Sequence, residues 1–229
     1  MKVLTVNAGR PKTVDYTDAA GGATGIDKRP VEGAVRVTEP GPKGEGGSGV
    51  AGDTVCDLRH HGGTHQAVYA YAREDLDYWE RELGRLLSNG TFGENLTTIG
   101  IDLGAARIGE RWRVGSELVL QVTSGRIPCR TFASWLGERG WVRRFTQNGR
   151  PGAYLMVIEP GEISAGDEIQ LVHRPDHDVT VDMSFRAATT DRSLLPGVLA
   201  AGEDALHPRQ LRQAREYVAQ HGASAPHSA

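Results

Sequence analysis

Apolar residues along this chain fall into short alternating runs, separated by glycine- and proline-rich breaks, with one clear helical interruption. Residues 2–6 alternate as a strand does, and 34–38 form a second short β-rich stretch. Residues 67–71 (Ala-Val-Tyr-Ala-Tyr) read as a buried strand that runs directly into a helix over 73–83. There Leu76, Trp79 and Leu83 recur at helical spacing until Gly84 stops the helix. Further strands are expected at 92–98, 111–114 and 118–123, the last two joined by a Gly115-Ser116 turn. Residues 131–136 and 141–145 read as short helices or turns, and 153–158 and 168–173 as strands.

Between Glu39 and Gly52 lies Pro-Gly-Pro-Lys-Gly-Glu-Gly-Gly-Ser-Gly, a composition that does not hold regular structure. It reads as a mobile surface loop in preference to an active-site lid. From about Val179 the texture changes: 193–201 and 208–220 have helical periodicity, with few strand formers between them. The expected organisation is a main domain over 1–175, a small helical subdomain over 176–221 and a disordered tail over 222–229.

Composition supports the short-strand reading: 30 glycines and 11 prolines in 229 residues suit tight turns and argue against a helical bundle. With 38% hydrophobic residues, a chain of this length buries a core without staples. The net charge of −3 gives no long-range pull on nucleic acid or on an anionic membrane, so neither is expected as a partner. No apolar run approaches the roughly 18 residues that span a bilayer. The stretch before Asn7 is too short for a signal-peptide core, and a cytoplasmic setting is expected. In that reducing compartment Cys56 and Cys129 are both expected as thiols.

Four motifs could carry chemistry. His60-His61-Gly62-Gly63-Thr64-His65 is either a ligand-cradling turn, whose glycines let a ligand approach the backbone, or a plain turn with satisfied histidines. Three imidazoles invite a metal, but no H-E-x-x-H or C-x-x-C spacing accompanies them. In Phe92-Gly93-Glu94-Asn95-Leu96 a carboxylate and an amide flank a flexible backbone point; a turn satisfying its own backbone is the simpler account. Arg126-Ile127-Pro128-Cys129-Arg130 places a cysteine between two arginines at a strand-to-helix junction, where positive charge and a helix N-terminus favour thiolate. The alternative is an inert buried thiol, the reading given to Cys56. Finally, Gly149-Arg150-Pro151-Gly152 either offers Arg150 to an anion or is a β-turn with an exposed arginine.

Taken together and in this order, these pieces resemble the MOSC domain family, named for the C-terminal domain of molybdenum-cofactor sulfurase. Gly52-Asp53, Gln66 to Tyr71 and Ile108-Gly109-Glu110-Arg111-Trp112 complete the match, which is similar to the stand-alone bacterial YiiM-like branch over roughly 1–175. The resemblance implies a mixed α/β, mostly β fold: a β-barrel with flanking helices, followed by a small three-helix subdomain. It also implies a molybdopterin-type molybdenum cofactor, with Cys129 as molybdenum ligand and His60, His61, Gly62 and Gly63 lining the cleft. Glu94 and Asn95 would hydrogen-bond the pterin or order their own loop; Arg126 and Arg130 would flank the thiolate; Arg150 would face the cofactor's phosphate or steady its strand. The implied reaction is reduction of N-hydroxylated compounds such as hydroxylaminopurines, with His61 or His65 as proton source near neutral pH. His65-Gln66 stands where many relatives carry Asp-Lys or Asp-Gln, and Met156 where an arginine is expected. Two other readings stay open: a cysteine-based sulfur-transfer or biosynthetic enzyme without molybdenum, and a non-catalytic cofactor carrier. With no G-x-G-x-x-G after a strand, a reductase would draw electrons from a separate protein. A homodimer built through the helical tail is a further expectation.

Overall fold

Period-2 alternation sorts the side chains of the central strands into two cores. The computed structural model describes residues 1–222, and its described residues form twelve strands and six α-helices. The strands are β1 (Lys2–Gly9), β2 (Lys12–Thr13), β3 (Ala23–Thr24), β4 (Lys28–Pro30), β5 (Val35–Val37), β6 (Val68–Ala72), β7 (Leu96–Ile99), β8 (Arg111–Val114), β9 (Leu118–Ser124), β10 (Ala153–Glu159), β11 (Gly161–Ile163) and β12 (Ile169–His173). The helices are α1 (Arg73–Leu83), α2 (Arg130–Leu136), α3 (Trp141–Asn148), α4 (Val181–Thr189), α5 (Leu195–Val198) and α6 (Pro208–His221). The tail expected to be disordered lies, beyond Gly222, outside the described residues.

Eight strands form one sheet in the order β12-β8-β9-β10-β6-β7-β1-β4, antiparallel except for the β6–β7 pair. The sheet curls until its ends meet. Val3 N–H donates to Asp167 O at 2.9 Å, Gly166 N–H to Val3 O at 2.8 Å and Ile169 N–H to Met1 O at 2.9 Å. The segment leading into β12 thus pairs with β1, giving the barrel-like curl that the resemblance implied. Closure of this kind removes the exposed edges of an open sheet.

In β6, Val68, Ala70 and Ala72 join the barrel core, while Tyr69 and Tyr71 point the other way into an aromatic cluster. β10 does the same, with Leu155 and Val157 inside and Tyr154 outside. Helices α1, α2 and α3 cover that outer face with Trp79, Phe132, Trp141 and Phe145. Phe132 lies 5.1 Å from Phe92 and 5.4 Å from Phe145, ring centre to ring centre. Such pairs add about 0.5–1.5 kcal/mol each beyond area burial. They fix α2, and so fix the residue at its N-terminus.

The C-terminal helices join the first core. Val181, Ala187, Leu195, Val198, Leu206 and Ala214 belong to the cluster that fills the barrel. Ser184 and Gln210 tie α4 to α6 by two buried hydrogen bonds of 2.7 Å. Thr180 caps α4 by accepting from Met183 N–H at 3.1 Å. Sequence periodicity did not reveal α4, and the helix expected at 193–201 is instead a 3₁₀ turn, the four-residue α5 and a second 3₁₀ turn. Residues 92–95 are a turn, so the strand expected there begins only at Leu96. Among the described residues no helix is long and apolar enough to cross a membrane.

Candidate functional site

β9 ends at Ser124, and the chain then crosses to α2 through Gly125, Arg126, Ile127 and Pro128. Gly125 is required there: a Cβ would lie 2.7 Å from the Pro151 ring. Cys129 occupies the N-cap of α2 with extended backbone, and its Sγ accepts from Phe132 N–H at 3.5 Å. The residue is half-buried and borders two cavities, an outer one of about 490 Å³ and an inner one of about 110 Å³. The strand-to-helix junction expected at Cys129 is where the residue stands.

Arg126 lies beneath it, buried, with its guanidinium 4.2 Å from the Phe132 ring centre and 5.0 Å from that of Tyr69. Nη1 donates to Phe92 O, and Nε has no hydrogen-bond partner among the described residues. Burial opposes the charge, but the Tyr154 and Tyr69 hydroxyls and the Cys129 sulfur outweigh it, and the net shift is upward. Arg126 is therefore a fixed cation next to the thiol. Arg130, by contrast, is exposed and paired with Asp18 at 2.8 Å on the rim of the outer cavity.

The histidine turn is built by close backbone approach. Gly62 and Gly63 have positive φ, and a Cβ on Gly62 would sit 2.6 Å from Gly47 O. One on Gly63 would sit 2.8 Å from the Lys43 backbone. The glycine-rich 39–52 segment accordingly is docked onto the turn, which corrects the reading of a mobile surface loop. Gly63 N–H donates to Gly47 O at 3.0 Å, Thr64 N–H to Gly41 O at 2.9 Å, and Lys43 Nζ to Gln66 Oε1 at 2.7 Å. Docking brings Lys43 to the outer cavity beside His60, His61 and His65.

Burial, with Arg126 and Lys43 nearby, holds His61 down at about 4; burial alone lowers His65. His61 is thus a neutral imidazole at neutral pH, and the expectation that it titrates near neutrality gives way to this environment. Among the described residues no group of three or more His, Cys, Asp or Glu could hold a metal ion, so the histidine triplet forms no protein-only metal site.

The inner cavity runs behind Cys129 and His61 to a buried ion pair between Lys28 and Asp53. Asp53 Oδ1 accepts from Gly9 N–H at 2.8 Å, and Oδ2 accepts from Asn95 Nδ2 at 2.8 Å. Asn95 Oδ1 accepts from Tyr69 N–H at 3.2 Å, so the amide positions Asp53 and the strand. Glu94 is fully buried and bonds its own turn, through Gly90 N–H at 2.5 Å, Phe92 N–H at 3.0 Å and Thr97 Oγ1 at 2.9 Å. Of the two roles implied for it, ordering the loop is the one its contacts fill. Cys56, read as structural, also borders the inner cavity.

One whole wall escaped the sequence reading. The outer cavity is closed on its far side by Ser184 and Phe185 of α4 and by His207, Arg209 and Arg212 around the start of α6. The His207 and His65 rings meet edge-on at 5.8 Å, and burial with His65 beside it holds His207 at about 4. Nothing in the local sequence of 207–212 signals this; the contact arises only when the helices fold back. Cations at this cavity are Lys43, Arg59, Arg130, Arg209 and Arg212, against the carboxylates Asp18 and Asp57. A chain of net charge −3 thus lines this cavity with positive charge.

Arg150 is not brought to either cavity. Its Nη1 pairs with Asp75 Oδ1 on α1 at 2.7 Å and its guanidinium sits 5.2 Å from the Tyr78 ring centre. The phosphate-facing role implied for it is replaced by this contact, because the turn aims it at α1. Met156, where an arginine was expected, accepts from Gln121 Nε2 at 3.4 Å.

The MOSC domain family model matches residues 57–170. The protein named Uncharacterized protein YflK, from Bacillus subtilis (strain 168), is 35% identical over 196 residues, covering 86% of this chain and 84% of its own length. Protein YiiM of Escherichia coli (strain K12) is 32% identical over 164 residues, 70% of this chain and 69% of its own. Its crystal structure superposes with a TM-score of 0.71 at 25% identity, covering 96% of this chain and 94% of that one. A protein named Reductase from Gibberella moniliformis (strain M3125 / FGSC 7600) is 32% identical over 131 residues, 56% of this chain but 23% of its own length.

Proposed function

This chain belongs to the MOSC domain family, and from that premise we propose that it is a cytoplasmic reductase of N-hydroxylated compounds of the hydroxylaminopurine type, working with a molybdenum cofactor held at Cys129. The observation that carries the reading is the place of Cys129: half-buried, on the shared wall of two cavities, in surroundings richer in cations than in acids.

The residues fit a phosphorylated, sulfur-rich cofactor. Cys129 offers one soft donor, and among the described residues no protein-only ligand set stands near it, so a metal there would bring further ligands of its own. Arg126 contributes a buried charge with an orphaned Nε–H, which an anionic neighbour would compensate. When bound, a molybdenum cofactor supplies the two electrons that convert R–NHOH and two protons to R–NH2 and water.

The protein's own part is positional. Phe132 N–H and the fixed charge of Arg126 steady the Cys129 sulfur. His61 is neutral at neutral pH, with one N–H and one lone pair; it can hold the departing oxygen or pass it a proton. The electrons would come from a separate donor protein. A sulfur-transfer enzyme without molybdenum has one observation in its favour, that Cys56 borders the same inner cavity as Cys129.

Metal and pterin analysis of protein from a cofactor-competent host separates these readings. About one molybdenum per chain is expected in the wild type, and its loss in Cys129→Ser, together with loss of hydroxylaminopurine reduction. Full molybdenum content in the variant would remove Cys129 as ligand.

A further inference from the structure

Three cations at the outer cavity stand without acidic partners. Arg59 is tied to Asp57 and Arg130 to Asp18, whereas Arg209, Arg212 and Lys43 form no ion pair among the described residues. The side chains of Arg209 and Arg212 make no hydrogen bond among the described residues either; only the Arg209 backbone N–H does, to His207 Nδ1. Lys43 is held in place by neutral oxygens only, Gln66 Oε1 at 2.7 Å and Gly62 O at 3.3 Å. Helix α6 gives no reason of its own for two arginines at its beginning. A helix N-terminus is the positive end of the macrodipole, where cations are disfavoured, and no acid stands in its first turn.

We propose that Lys43, Arg209 and Arg212 form an anion subsite that takes a phosphate monoester, carried either by the cofactor or by a nucleotide form of the substrate. This deepens the reading above and rests on it for the identity of the site, though not for the existence of anion binding. Guanidinium forks match phosphate oxygens in pairs, and a lysine adds a point charge from the opposite wall. The C-terminal helices thereby acquire a purpose the barrel alone cannot serve: they supply the anion-binding half of the cavity.

The test uses the full chain, purified free of cofactor, with adenosine 5′-monophosphate and adenosine as calorimetric probes. The wild type is expected to bind the monophosphate about tenfold or more tightly than adenosine, and Arg209→Ala/Arg212→Ala to abolish that preference. Arg209→Lys/Arg212→Lys should restore part of it. Both arginines are exposed and form no ion pair among the described residues, so circular dichroism should stay unchanged and Tm should not fall; if the double variant fails to fold, the two single variants give the same readout. Absence of the preference in wild type, or its survival in the alanine variants, overturns the proposal.

Pterin content after expression in a cofactor-competent host then identifies the source. If it falls in the alanine variant, the phosphate is the cofactor's; if it is retained while the preference is lost, the phosphate is the substrate's. Because the calorimetry uses no metal, the subsite stands or falls separately from the molybdenum reading tested by Cys129→Ser.

Discussion

In the inner cavity the buried carboxylate is matched, Asp53 by Lys28, and Arg126 rests against the Phe92 carbonyl and two aromatic faces with its Nε–H left open. At the outer cavity, which shares Cys129 with the inner one, Lys43, Arg209 and Arg212 form no ion pair among the described residues. The contrast follows from desolvation. A charge withdrawn from water costs several kcal/mol unless it is paired, so a deep pocket must satisfy its own groups. At an open cavity water defers that cost, and unpaired charge persists where a ligand later neutralises it. Paired charges therefore read as architecture and unpaired ones as binding capacity.

The largest expected effect lies on the architectural side. Asp53→Ala leaves Lys28 buried without its carboxylate and breaks the bonds to Gly9 N–H and Asn95. Removing one partner of a buried pair costs about 3–5 kcal/mol, which urea denaturation at pH 7 would read. Burial works to raise the Asp53 carboxyl, but Lys28 outweighs it and the folded value is lowered. Its stabilisation is thus present above the ordinary carboxylate value, near pH 4, and is lost as pH falls through the lowered folded value. The variant should lose that acid dependence. A cost under about 1 kcal/mol would show that pairing does not hold the inner cavity together, and the contrast would collapse.

A smaller effect tests how the outer cavity is assembled. Gly62→Ala forces a positive φ of 73° on an alanine and drives its Cβ to 2.6 Å from Gly47 O. Gly52→Ala imposes a similar φ of 81° with nothing within 4 Å. Strain alone is worth about 1–2 kcal/mol, so both lose that much, and only Gly62→Ala should lose more. It should also lift the 39–52 loop and weaken the preference for adenosine 5′-monophosphate, because Lys43 leaves with the loop. Equal losses in the two variants would mean that the loop is not held by close approach.

These residues also mark where sequence stops being informative. β8 and α1 were bounded correctly because alternation and the Gly84 stop are local signals. Cys129 and His61 could be singled out because their neighbours carry the chemistry beside them in the chain. α4 went unseen because its buried face is small and partly polar, Ser184 and Ala187 beside Val181 and Phe185. His207, Arg209 and Arg212 were invisible for a different reason: the cavity they complete joins segments more than a hundred residues apart. Lys43 was hidden by composition, since glycines needed for two backbones to touch look the same as glycines in a free loop. The contact of Arg150 was hidden by the same logic, its partner Asp75 lying 75 residues away.

Arg150 supplies the smallest effect and the sharpest control. It is an arginine in a glycine-proline loop, about half exposed, but it is paired with Asp75. If pairing distinguishes architecture from binding, Arg150→Ala should leave both the monophosphate preference and the molybdenum content unchanged. Its stability cost should be at most about 1 kcal/mol, as for other solvent-facing pairs. Burial already raises the Asp75 carboxyl, and Arg150 is what draws it back down, so the variant should move it further up. That shift is readable by carboxyl titration in NMR spectra. A fall in molybdenum content with Asp75 unmoved would place Arg150 at the site after all, and an ion pair would no longer suffice to exclude an arginine from ligand binding.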